Sequence, residues 1–179
     1  MKEATVNKLL VVLFIVFAAV LYGLIFGGDC GGPIDLSSER SPAPDFTLPD
    51  MSGRKVSLSD FKGKAVFLNV WATWCAPCRR EMPDIQSLAR KMDPEKFVVL
   101  AVSVDQGGRE DVAQFYKGRR LDIPTLLDQE GKVAKLYGVT GYPETFLIDK
   151  KGQLVERFIG PRHWLSSKFM NLFRELAAE

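Results

Sequence analysis

Histidine is almost missing from this chain: His163 is the only one in 179 residues. A metal cage built from several imidazoles is thereby excluded, and His163 reads as a surface residue near the start of the last helix. Cysteine is scarce as well, with Cys30, Cys75 and Cys78 making the full set. No second C-x-x-C or C-x-x-H stands beside Cys75 and Cys78 to complete a zinc site. Neither sign of charge is in excess, since 24 Lys and Arg face 22 Asp and Glu for a net +2. No basic run interleaves with aromatics, so nucleic acid is not an implied partner. Internal repeats and low-complexity blocks are absent. At 46% apolar and 26% charged, the chain has the balance of a globular protein with one sizeable core.

What is present concentrates on Trp71-Ala72-Thr73-Trp74-Cys75-Ala76-Pro77-Cys78. The run Ala65 to Trp71 ahead of it is apolar and rich in branched and aromatic residues, the pattern of a fully buried strand. Met82, Ile85, Leu88, Ala89 and Met92 follow at the spacing of one helical face. Pro77 falls in the first helical turn, where a missing N–H costs nothing. Cys75 therefore sits at a helix N-terminus, where unpaired N–H groups and the dipole favour a thiolate. The dipole alone supplies about 0.3–1 kcal/mol. Bringing a thiol from its ordinary pKa to near neutrality takes about 2 kcal/mol. The rest must come from hydrogen bonds given by the Cys78 thiol or backbone, with weak help from Arg79 and Arg80. Cys75 is assigned as the attacking thiol and Cys78, one turn deeper, as the resolving one.

The N-terminus carries a second feature. Leu9 to Phe26 is an uncharged stretch of about 18 residues, close to the roughly 20 that span a bilayer. Lys2 and Lys8 precede it, and Asp29, Asp35 and Glu39 follow. The positive-inside rule places the N-terminus in the cytoplasm and everything after Gly28 outside. An uncleaved anchor fits best, because the run exceeds the core of an ordinary signal peptide. A lipoprotein acylated on Cys30 is the second reading, although Asp29 is a poor residue for that position. Cleavage to a free protein is the third. Cys30 itself lies in the flexible Gly27–Pro33 stretch, as an idle thiol, a lipid attachment site or an intermolecular disulfide partner.

Three segments follow from these patterns: 1–28 as cytoplasmic tip and membrane anchor, 29–42 as linker, and 43–179 as one domain. Within the domain, short strands are expected at Ala43–Leu48 and Lys55–Leu58 around the Ser52-Gly53 turn. A second buried strand runs from Phe97 to Val104, a helix from Glu110 to Lys117, a short strand at Thr125–Leu127 and a short helix from Val133 to Tyr137. Thr145–Ile148 and Leu154–Phe158 form a hairpin, and Trp164 to Ala178 a closing amphipathic helix. Alternating strands and helices make this an α/β layer structure.

Taken together, Ala43-Pro44-Asp45-Phe46, Asn69 through Cys78, and Gly141-Tyr142-Pro143-Glu144-Thr145-Phe146-Leu147-Ile148-Asp149 resemble the thioredoxin fold in its membrane-tethered TlpA/ResA/CcmG branch. The resemblance covers essentially all of the domain. Phe115 to Tyr137 looks like part of the central insert of that branch, and Pro83 matches its kink proline. By resemblance, Tyr142–Pro143 is cis and packed against the cysteines, and the Tyr142 backbone offers strand-like hydrogen bonds to a substrate peptide. Trp74 caps the site as an apolar docking surface, while Trp71 packs inside. Ala76 and Pro77 tune the reduction potential. Plain thioredoxins carry a buried aspartate six residues before the first cysteine, and here that position is Asn69. An amide cannot store a proton at neutral pH, so another base must deprotonate Cys78. Glu144, directly after Pro143, is the candidate.

The resemblance implies an extracytoplasmic thiol–disulfide oxidoreductase with no cofactor beyond the Cys75–Cys78 pair. Reduction of protein disulfides, apocytochrome c among them, is the leading direction, with electrons from a membrane thiol–disulfide transporter. A disulfide-introducing oxidase or isomerase is the alternative, since reduction potential and partner supply set the direction. A peroxidase fits less well, because the Pro-x-x-x-Thr-x-x-Cys setting of peroxiredoxins is missing. A copper-delivery protein would need C-x-x-x-C and a histidine.

Overall fold

The computed structural model of the protein describes residues 40–179. The expectations for the membrane anchor, most of the linker and Cys30 fall outside the described residues. Among the described residues, no helix is long and apolar enough to cross a membrane.

The run Ala65–Trp71 forms the central strand, β4, with all seven residues buried. Its neighbours make a six-stranded sheet in the order β1-β8-β7-β4-β5-β6. Here β1 is Ser41–Pro42, β5 Phe97–Ser103, β6 Thr125–Leu127, β7 Glu144–Ile148 and β8 Gln153–Ile159. Strands β4, β5 and β6 are parallel, whereas β7, β8 and β1 run antiparallel to their partners. Two further strands, β2 (Thr47–Pro49) and β3 (Lys55–Ser57), pair as a hairpin. The helices are α1 (Ala76–Lys91), α2 (Arg109–Arg119), α3 (Lys132–Leu136) and α4 (Ser167–Ala178).

Alternation along β4 sends its side chains to two different cores. Val66, Leu68 and Val70 join Leu48, Val56, Leu100, Val102, Phe146 and Ile148 in one apolar cluster. On the other face the Phe67 ring meets Trp164 and Phe173 edge-on, at 4.9 and 5.7 Å between centroids. Asn69 and Trp71 share that second face. An amide and an indole are thus carried into the core beside the cysteines.

Three expected boundaries move, each for a local reason. The segment 43–46 does not extend β2, because Pro44 lacks a donor and Asp45 folds its carboxylate onto the Phe46 and Ser59 N–H groups. The sheet instead takes up the chain at Ser41–Pro42, inside the stretch read as linker. The last helix begins at Ser167, not Trp164, because the Trp164 indole is buried and donates to Glu81.

Candidate active site

The peptide after β4 turns at Ala72–Cys75, where the Cys75 N–H donates to the Ala72 carbonyl at 3.2 Å, and α1 begins at once. Cys75 occupies the N-cap position with extended backbone, and its sulfur accepts from the Cys78 N–H at 3.2 Å. Serine or aspartate oxygen does this work at most helix starts; here a sulfur takes it. Cys75 and Cys78 form a disulfide with Cα atoms 5.3 Å apart. The two sulfurs are not equivalent. Cys75 keeps 6% of its surface and Cys78 none, so a partner reaches Cys75 first. Pro77 lies at the start of α1, where the helix tolerates it.

A second loop closes over the first. The Tyr142–Pro143 bond is cis, and the Tyr142 carbonyl oxygen lies 3.5 Å from Cys75 Sγ. Pro143 is buried, and its carbonyl accepts from the Gly160 N–H at 2.9 Å. Trp74, 63% exposed, stands edge-on to the Tyr142 ring at 5.7 Å. Trp71 is fully buried and stacks on Tyr116.

Two buried glutamates flank this arrangement, and their surroundings differ. Glu144 opens β7. Its Oε1 accepts from the Thr140 N–H at 2.8 Å, the Thr140 hydroxyl at 2.9 Å and the Gly141 N–H at 3.2 Å. Its Oε2 faces Arg157, with Nε at 2.8 Å and the terminal nitrogen at 2.6 Å. Burial pushes this carboxyl up, but the Thr140 donors and the Arg157 guanidinium outweigh it and leave the pKa below its ordinary value. Glu144 thus ties down the loop that carries Pro143, and its partners favour the anionic form.

Sequence reasoning passed over the other carboxylate. Glu81 follows Cys78 by three residues on the same buried face of α1, a spacing that puts Cβ atoms about 5–6 Å apart. Its Oε1 accepts from Asn69 Nδ2 at 3.0 Å, and its Oε2 from Trp164 Nε1 at 2.9 Å and the Arg162 N–H at 3.2 Å. Asn69 Nδ2 also reaches Thr145 Oγ1 at 2.9 Å. Burial pushes the Glu81 carboxyl up to about 7, against the pull of those donors. Asn69 is therefore the donor to an acid contributed by the helix. Among the described residues, no group of three or more His, Cys, Asp or Glu is placed to hold a metal ion.

Comparison with known proteins agrees with this geometry. The AhpC/TSA family model matches residues 40–157. The thiol–disulfide oxidoreductase ResA of Bacillus subtilis is 34% identical over 167 residues, which is 93% of this chain and 90% of that protein. ResA of Bacillus thuringiensis subsp. konkukian is 41% identical over 120 residues, covering 66% and 68% of the two chains. Among solved structures, the thiol:disulfide interchange protein DsbE of Chlorobium tepidum matches with a TM-score of 0.68 at 35% identity, over 79% of this chain and 97% of that one. With a helix-capped C-x-x-C under a cis-proline loop and relatives of this kind, the chain belongs to the AhpC/TSA family, in its thioredoxin-like TlpA/ResA/CcmG branch, and is a thiol–disulfide oxidoreductase.

Proposed function

We propose that the protein is a disulfide reductase tethered to the outer face of the cytoplasmic membrane, acting on protein disulfides such as the haem-site cysteines of apocytochrome c. The observation that carries the chemistry is the asymmetry of the two sulfurs. Cys75 lies at the lip, aligned on the α1 N-terminus and the Tyr142 carbonyl, while Cys78 is sealed beneath it. Starting from the dithiol, the Cys75 thiolate attacks one sulfur of the substrate disulfide, and the other substrate sulfur leaves as a thiolate. Cys78 then loses its proton and attacks Cys75 Sγ. The second substrate thiolate departs, and the Cys75–Cys78 disulfide forms.

Deprotonation of Cys78 needs a nearby base whose pKa sits close to working pH. Glu81 meets that requirement by position and by its raised pKa. Glu144, the base expected at first, is better suited to holding the cis-proline loop. Tyr142 supplies backbone for a bound peptide, Pro143 packs against the cysteines, Trp74 gives an apolar wall, and Ala76 and Pro77 form the dipeptide that sets the potential.

Tethering and sidedness rest on Leu9 to Phe26 with Lys2 and Lys8 before it. The resemblance to the membrane-tethered TlpA/ResA/CcmG branch favours the reducing direction. A reductase outside the cytoplasm needs a continuing electron supply, which a membrane thiol–disulfide transporter would provide. The test is acid quenching of living cells followed by mass-tag alkylation, on a Cys30→Ser background so that only Cys75 and Cys78 report. Both cysteines are expected mostly as thiols, shifting to the disulfide when the transporter is removed. A pair found mostly as disulfide in otherwise wild-type cells would replace this reading with an oxidase.

A further inference from the structure

The parallel strands β4 and β5 end side by side, with Trp71 opposite Ser103. Beyond one end lies the active-site turn, and beyond the other lies Asp105. Functional groups in parallel α/β sheets collect at such carboxyl ends. Asp105 is 1% exposed, and every hydrogen bond to its carboxylate comes from the two strand ends. The Thr73 N–H is shared between its oxygens at 3.1 and 2.9 Å, and the Thr73 hydroxyl donates to Oδ1 at 2.7 Å. The Ser103 hydroxyl donates to Oδ2 at 2.7 Å, and Ser103 Oγ in turn accepts from the Asp105 N–H at 3.2 Å. The Val104 N–H meets the Trp71 carbonyl at 3.0 Å. The turn from Trp71 to Cys75 is thus clamped from the β5 side at its first and third residues.

A carboxylate is costly to desolvate and is tolerated in the interior only when hydrogen-bonded, and bonds to a charged acceptor are short and strong enough to hold their donors in place. The thiol chemistry proposed above makes no use of this one. What it grips is Thr73, and the next residue is Trp74, the exposed ring set edge-on to Tyr142. We propose that Asp105 is a positioning residue: by holding Thr73 it fixes the Trp74 wall against which a protein disulfide is lined up with Cys75 Sγ. The inference rests on the protein-substrate reading above.

A small disulfide needs no wall, and this separates the outcomes. In the full-length chain, Asp105→Ala should cut reduction of a protein disulfide such as insulin by about tenfold, mainly through KM. Attack of Cys75 on 5,5′-dithiobis(2-nitrobenzoate) should stay within about twofold, since the thiol keeps its helix N-terminus. Trp71 and Trp164 are fully buried, so acrylamide quenching of the reduced protein reads Trp74 and should increase. Asp105→Asn, which keeps an acceptor for Thr73, should recover part of the loss. If Asp105→Ala does not fold, Thr73→Val removes one bond and should act in the same direction by about threefold. Equal losses on both substrates, or full protein-disulfide activity with unchanged quenching, would overturn the inference. Wild-type protein that attacks the small disulfide but no protein disulfide would remove the reading beneath it.

Discussion

Glu81 and Glu144 are both buried glutamates beside one disulfide, yet they are tuned in opposite directions. Each accepts several hydrogen bonds, so donor number does not separate them. Burial raises both, and what differs is a cation in direct contact, since the Arg162 guanidinium acts on Glu81 without an ion pair. Arg157 puts a guanidinium against Glu144 at 2.6 Å, whereas Glu81 receives an amide, an indole and a backbone N–H. Dipolar donors reduce the cost of burying a charge without cancelling it, and the Glu81 carboxyl stays near 7. A site that must hold a proton and fix a loop therefore uses two acids, and the counter-charge assigns the tasks.

Removing the cation should break the contrast most severely. Arg157→Met leaves Glu144 buried against neutral donors only and should cost about 3 kcal/mol at neutral pH, lessened by the partial exposure of Arg157. The variant should recover stability as pH falls and Glu144 takes up a proton; urea midpoints at pH 8 and pH 5 read both effects. Glu81→Gln comes next. It should slow resolution of the mixed disulfide about a hundredfold near pH 7, seen as longer-lived adducts on Cys75 in rapid-quench alkylation. It should also remove a stability term of definite sign. A carboxyl raised from 4.5 to about 7 on folding binds its proton more tightly in the native state. Its contribution is intact below 4.5 and is lost as pH rises through 7, by about 3 kcal/mol. Glu144→Gln should have the smallest effect on exchange. It should cost about 1–3 kcal/mol of stability and leave the shape of the pH–rate profile unchanged, whereas a profile that flattens would return the role of base to Glu144. Because the Glu144 pKa is depressed, its stabilising term is present above its ordinary pKa and lost on acidification, so this variant should be the less acid-sensitive chain.

The chemistry was readable from local pattern, because a buried strand, a C-x-x-C and a helical stripe are all short-range signals. Cys75 at the N-cap and Pro77 just inside the helix follow from them directly. Glu81 was also within reach: it sits inside the stripe Cys78, Met82, Ile85, Leu88, where a carboxylate breaks the apolar face and demands partners. Its partners could not be read, since Asn69 lies 12 residues before it and Trp164 83 after it. The pairing of Glu144 with Arg157 depends on hairpin register. Phe146 opposes Arg157, which brings the guanidinium diagonally onto the Glu144 side of the sheet. Asp105 was silent for the same reason, being joined to Thr73 only because two parallel strands end together.

The most direct test is a carbon-13 NMR titration of the glutamate side-chain carboxyls in the reduced protein, assigned with Glu81→Gln and Glu144→Gln. The account predicts a Glu81 midpoint near 7 and a Glu144 midpoint below its ordinary value. A Glu144 carboxyl titrating near neutrality, with Glu81 already ionised at pH 5, would contradict it.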